Sequence, residues 1–217
     1  MSLTGIELPF SNLIGGTALI DLDGTLIKQD LEKEFVSYLK NSGELGAMHY
    51  LAAAITLPLN TLTRCFGRRD LFRAWSLFRT SIQLDDLIDQ FLKQDIKIEL
   101  RKSVLDLIDK FEGDVVLITG CNERLASKYL YSLGIIEKFK AIHGSSTIGS
   151  GFLLKHHPYG KSKLNYLGAY TQPFFSIGDS YADRYLFFQS SFAIVVQPSN
   201  KLRILARKMS WIILESP

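Results

Sequence analysis

Residues 18–26 read Ala-Leu-Ile-Asp-Leu-Asp-Gly-Thr-Leu, a short apolar run that delivers two carboxylates, Asp21 and Asp23, into a Gly24-Thr25 turn. Side chains at i and i+2 of an extended segment leave it on one face, so the pair is aimed at a single point where the strand runs out. Two anions forced together repel unless a cation or a shared proton compensates them. Asp and Gly both favour turns, so an acidic strand end alone needs no function. The rest of the chain indicates chemistry.

Three later segments have a related form. Val115-Val116-Leu117-Ile118-Thr119-Gly120 is a second apolar strand, ending in a hydroxyl and a glycine. Gly160-Lys161 opens a helical segment, and residues 174–183 read Phe-Phe-Ser-Ile-Gly-Asp-Ser-Tyr-Ala-Asp, a third strand followed by Asp179 and Asp183. From Lys28 to about Lys97 the rhythm is helical instead, with Leu31, Phe35 and Leu39 at i, i+4, i+8, then Leu84, Leu87, Ile88 and Phe91 on one stripe. Helix and strand then alternate. Leu100, Val104, Leu107, Ile108 and Phe111 stripe a helix before the 115–119 strand, and Leu125, Tyr129 and Leu133 stripe one after it. Residues 141–143 read as a short strand, Thr147 to Leu154 as a hairpin around Gly149-Ser150-Gly151, and 182–188 as a helix between strands near 174–178 and 192–196. A helix over Lys201–Lys208 and a strand at Trp211–Leu214 close the chain. Apolar strands alternating with amphipathic helices predict an α/β fold with a parallel sheet covered on both faces. Ligands of such sheets sit at the carboxyl ends of the strands, where all four segments fall.

The chain has 217 residues, 47% of them hydrophobic and 22% charged, enough for a sizeable core. A net charge of +3 is too small and dispersed to argue for nucleic acid and mildly favours an anionic ligand. The two cysteines, Cys65 and Cys121, suit a reducing cytosol, so a cytoplasmic location is expected. No secretory signal is visible. The most apolar stretch, Leu45 to Leu62, contains His49, Pro58 and Asn60 and falls short of a transmembrane segment. Nothing sets an oligomeric state.

The four segments, in this order, resemble the four signatures of the haloacid dehalogenase superfamily. The resemblance implies a Rossmann-like core from residues 1–28 and 98–217 and an all-helical cap inserted at 29–97. The helical insert and the tail from Pro198 to Trp211 are similar to the phosphoserine-phosphatase-like subgroup. It further implies Asp21 as nucleophile, forming an aspartyl-phosphate, and Asp23 as general acid and base. Dehalogenases of the superfamily lack an acid at the second position.

Gly24 permits close approach of the turn to a phosphoryl group. Thr119 and Gly120 precede a helix N-terminus, a natural phosphate site, with Asn122 as its cap. Lys161 matches the family's lysine, with Lys155 and Lys163 nearby. Asp179 would complete a Mg²⁺ site with Asp21 and the backbone carbonyl of Asp23, while Asp183 holds a metal-bound water or orients the lysine. Ala182 stands where several relatives carry Asn.

Asp30 occupies the place of the subgroup's substrate-reading acid, and Arg73 lies near that of its arginine. Arg69 and Arg73 share one face of an expected helix, with Leu71, Trp75 and Phe78 on another. Such a lining would favour small phosphomonoesters with an apolar or amphiphilic body. His156-His157-Pro158 reads as loop surface. The expected activity is Mg²⁺-dependent hydrolysis of a small phosphomonoester. Transfer of the phosphoryl group to an alcohol, and a non-catalytic phosphate-binding module, are the alternatives.

Overall fold

The computed structural model describes residues 15–47, 51, 54, 81–94, 97–148 and 153–215. Arg69, Arg73, His49, Cys65 and most of the apolar stretch from Leu45 to Leu62 lie outside the described residues.

The chain runs β1 (Thr17–Ile20), α1 (Leu31–Asn41), α2 (Ser81–Leu92), α3 (Lys102–Asp109), β2 (Asp114–Asn122), α4 (Glu123–Ser132), β3 (Ala141–Ile148) and β4 (Leu153–His156). It continues through β5 (Phe174–Gly178), α5 (Arg184–Gln189), β6 (Phe192–Val196), α6 (Asn200–Lys208) and β7 (Ile212–Leu214), with a 3₁₀ helix at Gly160–Ala169 before β5. Seven strands form one sheet in the order β4-β3-β2-β1-β5-β6-β7. Every pairing is parallel except that of β3 with β4. The expected hairpin is this antiparallel edge, and β3 is longer than the three residues its sequence suggests.

The apolar strands are buried on both faces, and their alternation divides the core. Ala18, Ile20, Val115, Leu117, Phe175 and Ile177 face one layer with Leu125 and Tyr129 of α4. Leu19, Val116, Ile118 and Phe174 face the opposite layer with Leu186 of α5. β1 lies centrally, and the chain builds outward first through β2 and β3, then returns to β5 on the other side of β1. That reversal opens a crevice at the carboxyl end of β1.

The described helices between β1 and residue 100 are those the spacing predicts. Asp30 caps α1 by accepting from the Lys33 amide at 3.0 Å. Leu31, Phe35 and Leu39 are buried along α1, and Phe35 meets Phe91 of α2 edge-on at 5.2 Å. Asp85 and Asp89 of α2 pair with Arg124 and Lys128 of α4 at 2.9 and 2.6 Å. The outgoing and returning chains meet where Ile27 bridges Leu100 and the Lys28 amide donates to the Glu99 carbonyl. No helix among the described residues is long and apolar enough to cross a membrane.

Candidate active site

The carboxyl ends of β1 and β5 set the first carboxylates. Ile20 is in register with Ile177, and the Asp21 amide donates to the Ile177 carbonyl at 3.0 Å, so Asp21 leaves β1 beside the end of β5. Asp179 leaves β5 one residue past Gly178, and Asp183 follows at the end of a one-turn 3₁₀ helix, Tyr181–Asp183. One oxygen from each of Asp21, Asp179 and Asp183 lies within 4.8 Å of the others. Asp21 and Asp183 are buried and Asp179 is half-buried.

The cation that meets this cluster is Lys163. Its Nζ donates to Asp21 Oδ1 at 2.6 Å and to Asp183 Oδ1 at 2.7 Å, with its side chain only 3% exposed. Lys161, which the sequence motif selects, is exposed at the start of the 3₁₀ helix. Lys163, and not the expected Lys161, meets the carboxylates for a geometric reason. A 3₁₀ helix has three residues per turn, so Gly160 and Lys163 share its inward side while Lys161 turns to solvent. A single α-helical register gives no reason to prefer Lys163.

Asp183, expected to hold a metal-bound water or to orient Lys161, accepts instead from Lys163 at 2.7 Å. Its other oxygen accepts from the Ser180 amide at 3.1 Å and the Ser180 hydroxyl at 2.6 Å. Asp179 rests against the β1 turn. Gly24 has φ +73°, and a side chain begun there would stand 2.3 Å from Asp179 Oδ2. The Thr25 hydroxyl donates to Asp179 Oδ1 at 3.3 Å. Glycine at 24 is therefore required by both backbone and carboxylate.

Asp23 stands apart from the three-carboxylate cluster, its Oδ1 accepting from the Leu31 amide at 2.8 Å. Burial, with the Asp21 charge adding to it, pushes the Asp23 carboxyl up to about 8. Asp21 is pushed up to about 7 by burial, against the pull of Lys163 and with repulsion from Asp183 and Asp179. Asp179 is likewise raised to about 7, by burial first and then Asp183. Burial alone would lower Lys163, but Asp183 and Asp21 hold it above its ordinary value.

Thr119 is fully buried in β2 just past its apolar run, where its Oγ1 accepts from the Cys121 amide at 3.0 Å and keeps its proton to donate. Gly120 follows, its carbonyl accepting from the Ser145 hydroxyl. Asn122 caps α4 as expected, taking the Arg124 and Leu125 amides at 3.0 and 3.2 Å. Those two amides are therefore satisfied within the chain, which moves the expected phosphate donors toward Thr119 and Gly120. Asp30 serves as the α1 cap and pairs with Lys33 at 2.8 Å. Arg73 lies outside the described residues.

Residues that the motifs do not mark also converge here. The His157 ring comes within 3.5 Å of where a Gly120 side chain would begin and stacks on Tyr159 at 5.7 Å, so His157 is beside the β2 end rather than on loop surface. Arg101 donates from Nε to the Gly24 carbonyl at 3.1 Å. An arginine just ahead of an apolar stripe gives little warning of such a role.

The donor set fits a hard divalent cation. It consists of carboxylate oxygens gathered into a buried space, two of them raised in pKa by burial and mutual repulsion.

None of the curated proteins matches the sequence. Among solved structures, a protein of unknown function from Bordetella pertussis Tohama I is 18% identical, with a TM-score of 0.70 over 93% of this chain and 99% of that one. A substrate-bound phosphoserine phosphatase complex is 14% identical, with a TM-score of 0.52 over 93% of each chain. A predicted phosphoglycolate phosphatase from Haemophilus somnus 129pt is 16% identical, with a TM-score of 0.52 over 92% of this chain and 93% of that one. These likenesses establish the architecture. The family described as haloacid dehalogenase-like hydrolase matches residues 18–187.

Proposed function

The chain belongs to the haloacid dehalogenase-like hydrolases, and we propose that it is a Mg²⁺-dependent phosphatase that cleaves a small phosphomonoester through a phosphoaspartate on Asp21. The observation that carries this reading is the division of labour between two acids on one turn. Asp21 is bonded to Lys163 and gathered with Asp179 and Asp183, whereas Asp23 is separate and raised to about 8. Burial raises both acids; Asp21, beside Lys163, is placed to attack, and Asp23, bonded to the Leu31 amide instead, is placed to give and take a proton.

In the first step an Asp21 oxygen bonds to phosphorus as the ester P–O bond breaks, and Asp23 gives its proton to the departing alkoxide. In the second, Asp23 takes a proton from water as that water attacks phosphorus and the Asp21–phosphorus bond breaks. Lys163 neutralises Asp21 and the phosphoryl oxygens beside it, and Asp183 keeps Lys163 in place. The Thr119 hydroxyl and Gly120 receive another phosphoryl oxygen. Mg²⁺ held by Asp21, Asp179 and the Asp23 carbonyl, with Asp183 behind it, would supply charge neutralisation between carboxylates and phosphoryl group.

Residues 29–97 are proposed as a cap over this site. The meeting of both chain crossings at Ile27 and Leu100 supports those limits. A small ester fits beneath such a cap better than a folded protein does. The neighbouring phosphoserine and phosphoglycolate phosphatases act, by their names, on esters of that size. A cytoplasmic location is proposed from the two widely spaced cysteines.

The test is a phosphomonoester screen with Mg²⁺. Hydrolysis that requires Mg²⁺ and disappears in Asp21→Asn is expected. No hydrolysis of any ester, or equal hydrolysis by Asp21→Asn, would overturn the reading. Added alcohols should not divert the phosphoryl group from water, and their phosphorylation would establish a transferase instead.

A further inference from the structure

Two cations are buried among the described residues, Lys163 and Arg101. Lys163 has two carboxylate partners, and its role follows from them. Arg101 is 6% exposed yet makes no ion pair among the described residues. Its Nε donates to the Gly24 carbonyl at 3.1 Å, and its Nη1 is buried without a hydrogen-bond partner. Asp179 is the carboxylate whose field reaches it. A guanidinium removed from water without a bonded carboxylate is costly, so its retention calls for a task.

The task is legible in what it grips. The backbone amide of Arg101 donates to the Leu26 carbonyl at 2.9 Å, while its side chain holds the Gly24 carbonyl two residues earlier. One residue of the returning chain thus fixes both ends of the 24–26 turn. That turn carries Asp23 just before it, rests its Gly24 face on Asp179, and presents the Thr25 hydroxyl to the same carboxylate. The Gly24–Thr25 peptide is held on its N–H side by the Thr25 amide donating to the Leu22 carbonyl at 3.2 Å, and Arg101 supplies the partner on its carbonyl side.

We propose that Arg101 is a positioning residue: its guanidinium holds the Gly24 carbonyl and so fixes the turn on which Asp23 and Asp179 depend. The consequence for turnover rests on the phosphatase reading, whereas the consequence for the turn does not. The test therefore has two arms. Hydrogen exchange in Arg101→Met should quicken about tenfold or more in peptides from 21–31, the scale of one charge-assisted hydrogen bond, while peptides from 114–122 stay as in the wild type. With p-nitrophenyl phosphate, kcat should fall about tenfold or more with KM nearly unchanged. Added guanidinium should restore kcat in Arg101→Ala, where methylammonium should not, and Arg101→Lys should recover less than guanidinium does, since it lacks the planar donor. Unchanged exchange at 21–31 overturns the proposal. So does exchange that rises equally throughout the sheet, with kcat lost in proportion to stability and no guanidinium rescue, because that describes a packing role alone. A wild type inactive on every phosphate ester, with the local exchange response intact, would overturn the phosphatase reading and leave the positioning role standing.

Discussion

Replacing Lys163 by Met separates the structure's lysine from the motif's. The Lys163 side chain is 3% exposed, and its partners Asp21 and Asp183 are 10% and 2% exposed, so its removal strands two carboxylates in a dry space. Removing one member of a buried ion pair costs about 3–5 kcal/mol. For a domain of this size each kcal/mol shifts the melting temperature by about 2–4 °C, so the expected loss is about 6–20 °C near pH 8. The loss should shrink as pH falls. Asp21 is already raised to about 7 with Lys163 present, and without it the carboxyl rises further and accepts a proton instead of remaining an unpaired anion. Near pH 5.5 the part of the loss that comes from Asp21 should be gone. Lys161→Met, at an exposed position, should change stability by at most about 0.5 kcal/mol at either pH. Thermal unfolding of both variants in a chelator measures this. Turnover by Lys163→Met should also fall about a hundredfold or more. A stable, active Lys163→Met beside a crippled Lys161→Met would refute the reasoning and restore the motif's lysine.

The metal-free protein should itself lose stability with rising pH. Asp21, Asp23 and Asp179 are raised to about 7, 8 and 7 in the folded state against about 3.9 unfolded, so their contribution is complete below about pH 4 and is lost through pH 7–8. Lys163 stays charged across that window and adds no slope. Melting temperature in a chelator should therefore fall from about pH 5 to about pH 9, and Mg²⁺ should restore it more at the alkaline end; a flat profile would contradict the crowding of carboxylates. Asp23→Asn should slow alkyl phosphates by about a hundredfold or more. With p-nitrophenyl phosphate, which needs little protonation to depart, it should give a burst of about one product per enzyme and then stall. Equal losses without a burst would remove Asp23 from proton transfer. Gly24→Ala, whose new carbon would stand 2.3 Å from Asp179 Oδ2 at φ +73°, should cost about 1–3 kcal/mol and abolish the response to Mg²⁺. A wild-type Mg²⁺ response in that variant would show that Asp179 does not need the glycine.

The parts of the site legible in the sequence are those fixed by strands. Asp21, Thr119 and Asp179 each follow or end an apolar run, and in a parallel sheet the end of such a run has only one place to be. Lys163 was not legible because it rides on a 3₁₀ segment, where the period changes from the expected helical one and a shift of two residues exchanges a buried face for an exposed one. Arg101 and His157 were illegible for a different reason. Each reaches the site from an element distant in sequence, Arg101 through the Gly24 carbonyl and His157 beside Gly120. No local pattern encodes such a contact. Asp30 shows the converse: its position matches a substrate-reading acid, yet the Lys33 amide and ammonium occupy its carboxylate.

Charge explains why the site should be built this way. Ionised together, Asp21, Asp179 and Asp183 exceed the single compensating charge of Lys163 by two, in a space where unpaired charge is expensive. A fold selected for stability alone would have no reason to gather them. The excess equals the charge of one divalent cation, and the raised carboxyls measure how poorly the chain satisfies itself without it. Asp183 is committed to Lys163 and Ser180, which leaves Asp21 and Asp179 as the acids with most to gain from a cation. Asp23 is kept out of that account by its bond to the start of α1. Bonded to the Leu31 amide and not to Lys163, it lacks the cation that favours the charged form of Asp21, and the two adjacent acids can then play opposite parts in one reaction.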